Sequence, residues 1–123
     1  MNKVLTPLEL KVMNILWTLK SAFVKDILEH WPKNDKKPAY NTVSTIVRIL
    51  QNDKDFIDHK TYGRTHEYYP KITKGEYQKF FLQNAVDKVF SGSVSRLVSA
   101  LVDSEKVSQG EIDDLKKLLD DME

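Results

Sequence analysis

Short hydrogen-bonding side chains and one arginine recur along a single face of a predicted helix in the middle of the chain. The set consists of Asn41, Ser44, Thr45 and Arg48. Their spacing of three and four residues places them together on one side of a helix. Amide, hydroxyl and guanidinium groups suit close approach to phosphate oxygens and base edges, whereas a generic solvated helix carries Glu and Lys more often. The face favours a nucleic-acid contact; the alternative is ordinary solvated helix surface for Asn41, Ser44 and Thr45, and a salt bridge with a nearby carboxylate for Arg48.

Neighbouring residues extend this candidate surface. Thr42 lies near the helix N-terminus, where hydroxyls and the helix dipole meet phosphate or base, and Tyr40 is either a contact or a packing residue. Arg64 stands in a predicted turn, placed for a phosphate or a minor groove, and Lys60 adds positive field rather than a fixed contact. The candidate DNA-binding residues are Tyr40, Asn41, Thr42, Ser44, Thr45, Arg48, Lys60 and Arg64.

The sequence gives little support for metal binding or catalysis. His59 and His66 can face each other across a predicted hairpin and bind a metal or sense pH, but no third ligand is apparent, and we expect two solvated residues and no metal. The absence of cysteine excludes disulfides, thiolate metal cages and a cysteine nucleophile. Gly-rich phosphate loops, His-Glu-x-x-His patterns and nucleophile signatures are also missing. We therefore expect neither catalysis nor a cofactor.

Composition and charge set the broad class of protein. A chain of 123 residues, 41% hydrophobic and 30% charged, suits an ordinary soluble protein. Up to Pro70 there are 11 basic and 8 acidic residues, and beyond it 8 and 10, so positive charge concentrates where a polyanion would bind. No apolar run approaches the roughly 20 residues that cross a bilayer, and residues 1–11 lack the apolar core of a signal peptide. We expect a cytoplasmic protein without membrane insertion.

The first half of the sequence predicts three helices that position the candidate surface. Thr6-Pro7-Leu8-Glu9 is a capping box with proline at the first helical position, and an apolar stripe continues to residue 19. Ser21 is expected to cap a shorter helix through about Trp31, which Pro32 ends. The third helix, from about residue 40 to 52, must bury its opposite face in a core. That buried stripe consists of Val43, Ile46, Val47 and Leu50.

A hairpin follows the third helix. Residues 56–61 predict a strand, Tyr62-Gly63-Arg64 a turn, and residues 65–69 a returning strand rich in β-branched and aromatic side chains. Three helices followed by a two-stranded hairpin is the element order of a winged helix-turn-helix, in which the third helix enters the major groove and the hairpin reaches the flanking backbone. The same order also serves protein-docking modules, which remain the alternative.

The last third of the sequence predicts three more helices. Capping boxes at Thr73 to Glu76 and at Ser108 to Glu111 begin the first and the last of these helices. Ser91-Gly92-Ser93 ends the first helix, and a short middle helix follows it. Three amphipathic helices of this length form a poor independent core, and a second subunit is the simplest remedy. The expected dimerisation residues are Tyr77, Phe80, Phe81, Leu97, Leu101, Ile112, Leu115, Leu118 and Leu119.

The predicted fold class is thus mostly α with a small β-hairpin, divided into a winged-helix DNA-binding domain at residues 1–72 and a helical dimerisation domain at 73–123. Two stretches sharpen this prediction. Ala-Tyr-Asn-Thr-Val-Ser-Thr-Ile-Val-Arg-Ile-Leu at 39–50 and Gly-Arg-Thr-His-Glu-Tyr-Tyr-Pro at 63–70 resemble the penicillinase-repressor (BlaI/MecI) family of bacterial winged-helix repressors. Residues 8–17 resemble the first helix of that family.

The resemblance implies a homodimeric repressor that binds a palindromic double-stranded DNA operator, often with TACA/TGTA half-sites, upstream of β-lactamase, resistance or related stress genes. It also implies a membrane sensor and protease system as a partner. The chain departs from the family at three places. Many members have arginine where Ile49 stands and Lys-Gly where this chain has Lys54-Asp55. Ala100-Leu101 replaces the Asn-Phe bond that is cut during induction, so cleavage there is not expected.

Overall fold

A computed structural model describes residues 3–104 and 107–121, and the order of its elements is that of a winged helix followed by further helices. The elements are α1 Pro7–Leu19, α2 Val24–Glu29, α3 Tyr40–Asn52, β1 Ile57–Tyr62, β2 Thr65–Pro70, α4 Lys74–Lys88, α5 Val94–Asp103 and α6 Gln109–Asp121. The predicted fold class, mostly α with a small hairpin wing, is confirmed.

The chain divides into two compact units, Met1–Lys79 and Phe80–Glu123. The division falls inside α4, whereas the sequence suggested a boundary at residue 72, just before that helix. Tyr77 explains the difference, because its hydroxyl accepts a 2.8 Å hydrogen bond from the Leu5 amide and its ring lies 5.8 Å from that of Phe56. The start of α4 is therefore part of the first unit.

Local capping sets where the helices begin. Thr6 Oγ1 accepts a hydrogen bond from the Glu9 amide at 3.2 Å, and the Thr6 amide donates to Glu9 Oε1 at 2.8 Å. The same reciprocal arrangement joins Thr73 with Glu76 and Ser108 with Glu111. All three capping boxes predicted from the sequence therefore form, because the pairing needs only residues three positions apart.

The start of α2 differs from the prediction. Ser21 does not cap this helix; Phe23 is its N-cap residue, and the Phe23 amide donates to Asp26 Oδ2 at 3.0 Å. Ala22 instead exchanges two backbone hydrogen bonds with Tyr68 of β2, at 2.9 and 2.8 Å. This bridge keeps the backbone at residue 22 in an extended conformation and holds the hairpin against the helices. A helix cannot start before that constraint ends.

One core joins the three helices and the hairpin of the first unit. Val43, Val47 and Leu50 of α3 are fully buried, as the periodicity predicted. They belong to one cluster with residues of α1, α2 and β1. The fully buried residues from those elements are Val12, Met13, Leu16, Ile27 and Ile57. Burying this stripe fixes the rotation of α3 about its axis and so determines which residues face outwards.

A buried ion pair ties α1 to the segment after α3. Lys54 Nζ contacts Glu9 Oε1 and also donates a 3.0 Å hydrogen bond to the Val4 carbonyl. Both charged residues are largely buried, with 6% of Glu9 and 8% of Lys54 exposed. Burial acts to raise the pKa of Glu9, but the hydrogen bonds from Lys54 and Thr6 together with the Lys54 charge lower that pKa below its ordinary value.

The second unit holds most of α4 together with α5 and α6. Ser93 caps α5 by accepting a hydrogen bond from the Arg96 amide at 3.2 Å, and α5 buries none of its own residues. Phe80, Phe81 and Leu101 are exposed by 39%, 50% and 41%. Leu97 and Ile112 are half-buried. The side chains of Leu115, Leu118 and Leu119 lie outside the described part of the structure. Among the described residues, no helix is long and apolar enough to cross a membrane.

Candidate nucleic-acid interface

The outer face of α3 carries the polar residues that the sequence singled out. Asn41, Thr42, Thr45 and Arg48 are exposed, and Ser44 is half-buried. Thr45 Oγ1 donates to the Asn41 carbonyl at 3.0 Å, and Arg48 Nε donates to the Ser44 carbonyl at 3.2 Å. These bonds hold both side chains along the helix. Because only Nε of Arg48 is used, the two terminal nitrogens of its guanidinium can still form a fork for a base edge or a phosphate.

The N-terminus of α3 has no side-chain cap. Its N-cap residue is Ala39, and no acidic residue lies in the first turn. The amides of Thr42 and Val43 bond back to the Ala39 carbonyl at 3.1 and 3.3 Å, which leaves the preceding two amides at the positive end of the helix dipole. Together with the hydroxyl of Thr42, this end of the helix suits an anion.

The hairpin presents a cation at its tip. β1 and β2 pair in antiparallel register with Tyr62 opposite Thr65, so Gly63 and Arg64 form a two-residue loop. Gly63 has φ +61°, a conformation that L side chains rarely adopt, and glycine at this first loop position is typical of tight hairpins. The short loop therefore holds the exposed Arg64 at a defined point beyond the last strand pair.

α3 and the hairpin meet in one open groove. Tyr40 and Ser44 line it from α3, and Arg64 lines it from the hairpin tip, so three residues predicted from the sequence come together. The remaining lining residues are Phe23, Val24, Lys25, Thr65, His66 and Tyr68. Two permanent cations, several hydroxyl groups and no carboxylate face this groove. Such a lining attracts a polyanion and can donate hydrogen bonds to it.

Five of the eight predicted contacts do not line the groove: Asn41, Thr42, Thr45, Arg48 and Lys60. Arg48 and Thr45 line a shallow depression farther along α3 with Ile49, Asn52 and Asp53. Lys60 of β1 pairs in register with Glu67 and projects from the hairpin face opposite to that of His59 and Thr61. Lys60 therefore does not line the groove, and its contribution of charge rather than a fixed contact stays a prediction.

The positive field of Arg48 reaches the base of the groove. Burial raises the pKa of the Tyr68 hydroxyl, while the charge of Arg48 acts in the opposite direction and that of Tyr40 adds to the increase. Tyr68 is therefore a neutral hydroxyl at physiological pH, able to donate a hydrogen bond. Tyr68 therefore adds no negative charge to the groove.

Sequence reasoning missed part of this groove. Lys25 was not among the candidate residues, and Tyr68 was predicted only as part of a strand. The bridge between Ala22 and Tyr68 brings the start of α2 beside β2, and that contact joins residues 46 positions apart. No local pattern announces such a pairing. The excess of basic residues before Pro70 indicated that this part of the chain binds a polyanion, but it did not show which residues form the binding surface.

The three-helix core, the exposed face of α3 and the cationic hairpin define a winged-helix regulator of the kind that binds DNA. Comparisons with known proteins narrow this class. The family model described as Penicillinase repressor matches residues 5–121. This chain therefore belongs to the penicillinase repressor family, whose members are bacterial transcriptional repressors. The resemblance found in the sequence is confirmed.

Individual relatives agree with the family. The chain is 32% identical to the "Methicillin resistance regulatory protein MecI" of Staphylococcus aureus (strain N315) over 111 residues, which cover 90% of this chain and 89% of the relative. It is 20% identical to the "Penicillinase repressor" of Bacillus licheniformis over 113 residues, covering 92% and 87%. Among solved structures, the "DNA binding domain of the repressor BlaI" matches with a TM-score of 0.51 and 25% identity, covering 59% of this chain and 87% of that one.

Proposed function

We propose that the protein is a homodimeric repressor in which α3 and the hairpin of each subunit bind one half of a palindromic operator. The observation that carries this proposal is the groove that α3 and the hairpin line together, with hydroxyl groups from both elements, the cations of Lys25 and Arg64, and no carboxylate. α3 enters the major groove, where Arg48, Thr45 and Asn41 meet base edges. Arg64 and Lys25 meet the flanking phosphates.

The regulated genes follow from the relatives. The names of the most similar proteins describe a methicillin resistance regulator and a penicillinase repressor. We infer that this protein controls β-lactamase or related resistance or stress genes. Repression is steric, because a dimer that covers two half-sites about one helical turn apart excludes polymerase from the promoter.

Operator binding with a steep salt dependence tests this function. If each subunit neutralises about four phosphates, the logarithm of affinity should fall with the logarithm of salt concentration at a slope of roughly −7. The measurement is a fluorescence-anisotropy titration with the DNA upstream of the protein's own gene, at several salt concentrations, against scrambled DNA of equal length. We expect roughly a thousandfold preference for the upstream DNA at physiological salt.

The same titration distinguishes a DNA-binding repressor from a protein-docking module. A protein-docking module with this fold predicts a slope near zero and no preference for either DNA. Arg64→Ala adds a second criterion, because it removes the cation at the hairpin tip and Arg64 is exposed, outside the core. Weaker binding to all DNA and a shallower slope support the proposed role of the hairpin, whereas unchanged DNA behaviour together with loss of a protein partner supports docking.

Dimerisation through the second unit is supported by its exposed apolar surface. Leu82, Val89 and Val94 are exposed by 51%, 71% and 52%, in addition to the predicted residues Phe81 and Leu101. Soluble monomers rarely leave so many large apolar side chains exposed on a short segment. A second copy of the same unit covers them in an isologous interface.

We expect Leu101→Asp to shift the protein from dimer to monomer, because it places a charge in the apolar interface. Sedimentation velocity at micromolar concentration measures the change, and operator affinity should fall with it. Ser99→Asp is the matched control, since Ser99 is an exposed residue of the same helix and receives the same charge. A monomeric wild-type protein, or equal dissociation of both variants, would contradict this assignment.

A further inference from the structure

Two histidines on the hairpin are held face to face in a way that the sequence could not establish. The ring centres of His59 and His66 lie 4.1 Å apart, with an angle of 59° between the ring planes. His59 pairs with Tyr68 and His66 pairs with Thr61, so the two histidines are diagonal neighbours on one face of the hairpin. The rigid two-residue loop and the strand register keep them together.

The second ring nitrogen of each histidine already has a partner. His59 Nδ1 lies 2.9 Å from Gln51 Oε1, an oxygen that only accepts, so Nδ1 carries the proton and Nε2 presents its lone pair. His66 Nδ1 lies 3.3 Å from Thr61 Oγ1. A hydroxyl oxygen can accept from Nδ1 and leave the Nε2 of His66 as a second ligand atom. Oxygen partners on the remote nitrogen are the usual outer-shell arrangement of metal-binding histidines.

From this geometry we propose that His59 and His66 bind one divalent transition-metal ion of the Zn²⁺, Ni²⁺ or Cu²⁺ class through their Nε2 atoms. An imidazole nitrogen binds such an ion at about 2.0–2.1 Å, and two rings whose centres lie 4.1 Å apart are close enough for one ion to contact a nitrogen of each. Imidazole suits these metals, whereas Mg²⁺ and Ca²⁺ require oxygen ligands.

Water completes the coordination of this site. Among the described residues, no group of three or more His, Cys, Asp or Glu side chains is arranged for a metal. Tyr68, with its ring centre 5.7 Å from His59 and 6.2 Å from His66, forms the adjacent wall. A bound ion links β1 to β2 and, through Gln51, to α3. It therefore stabilises the hairpin in its observed position relative to α3.

The third histidine of the chain provides an internal control. His30 is exposed in α2's C-terminal cap, and its Nδ1 lies 2.9 Å from the Asp26 backbone carbonyl. It is far from the hairpin in sequence and has no second histidine beside it among the described residues. Because the chain has three histidines and no cysteine, single substitutions separate the paired site from isolated imidazole binding.

Isothermal titration of the full-length protein with ZnCl₂ tests the proposal. We expect one ion per chain for the wild type and for His30→Ala, and loss of that binding in His59→Ala and His66→Ala. Gln51→Ala should keep the stoichiometry and weaken affinity by about tenfold, because it removes only the partner of His59 Nδ1. His66 is exposed, so His66→Ala remains informative even if His59→Ala folds poorly.

Electron paramagnetic resonance with one equivalent of Cu²⁺ gives an independent readout. Hyperfine coupling to two imidazole nitrogens is expected in the wild type and to at most one in His66→Ala. No saturable Zn²⁺ binding, equal binding by His66→Ala, or loss of binding in His30→Ala would overturn the site. These measurements contain no DNA, so their outcome is separate from that of the proposed repressor function.

Discussion

Replacing Lys54 with Met should lower the free energy of unfolding by about 3–5 kcal/mol, because it leaves the buried carboxylate of Glu9 without a cation. Lys54 is only 8% exposed, and its Nζ serves both Glu9 Oε1 and the Val4 carbonyl. Met fills much of the same volume, so the loss reports on the unpaired charge and carbonyl and not on a cavity. Equilibrium urea denaturation, followed by circular dichroism, measures the change.

An exposed pair in the same region is the control. Lys71 Nζ lies 2.6 Å from Asp55 Oδ1, but both side chains are open to solvent. Lys71→Met should therefore change stability far less than Lys54→Met does. The double variant Glu9→Gln/Lys54→Met should recover most of the loss, because a neutral amide does not require a buried cation. Equal effects of Lys54→Met and Lys71→Met would contradict the structural role of the buried pair.

The pH dependence of the Lys54 variant follows from the same interaction. The pKa of Glu9 in the folded protein is lowered below its ordinary value of 4.5, so the unfolded chain binds a proton more readily. The stabilisation is fully present above that ordinary value and is lost as the pH falls through the lowered pKa of the folded state. The stability difference between wild type and Lys54→Met should therefore shrink as the pH is lowered below 4.5.

Local patterns account for what the sequence predicted well. The stripe of Val43, Val47 and Leu50 fixed the buried face of α3, and therefore its exposed face, before any tertiary contact was known. Capping boxes located the helix starts at Thr6 and Thr73 because the partners are three residues apart. Both signals arise within one or two helical turns, and the core that forms later agrees with them.

Long-range contacts account for what the sequence missed. Ser21 has the side chain of a good helix cap, but the backbone bridge between Ala22 and Tyr68 follows it, so the helix begins only after residue 23. Tyr77 has the spacing of an interface residue in α4, yet it is 6% exposed and its hydroxyl is bonded to the Leu5 amide. The pairing of Glu9 with Lys54 spans 45 positions. Each outcome depends on which distant segments meet, and helical periodicity carries no information on that.

The largest expected effect on function is that of Arg48. Arg48 is exposed on α3 and only its Nε is bonded to the Ser44 carbonyl, so the two terminal guanidinium nitrogens can donate to a base or a phosphate. Arg48→Ala should cost about 1–3 kcal/mol per half-site, or about 30-fold to 3 × 10⁴-fold in the affinity of the proposed dimer for its operator. Arg48→Glu should cost more, because a carboxylate then faces the phosphates.

Arg96 provides the matched control for this charge change. It is an exposed residue of α5 in the second unit, so Arg96→Glu alters the net charge of the protein by the same amount without touching α3. Anisotropy titrations on operator DNA compare the variants at one salt concentration, and sedimentation velocity checks that each variant has the same oligomeric state as the wild type. If Arg96→Glu weakens binding as much as Arg48→Glu, overall charge governs affinity and α3 does not read the operator. If only the Arg48 variants fail, the exposed face of α3 is the recognition surface.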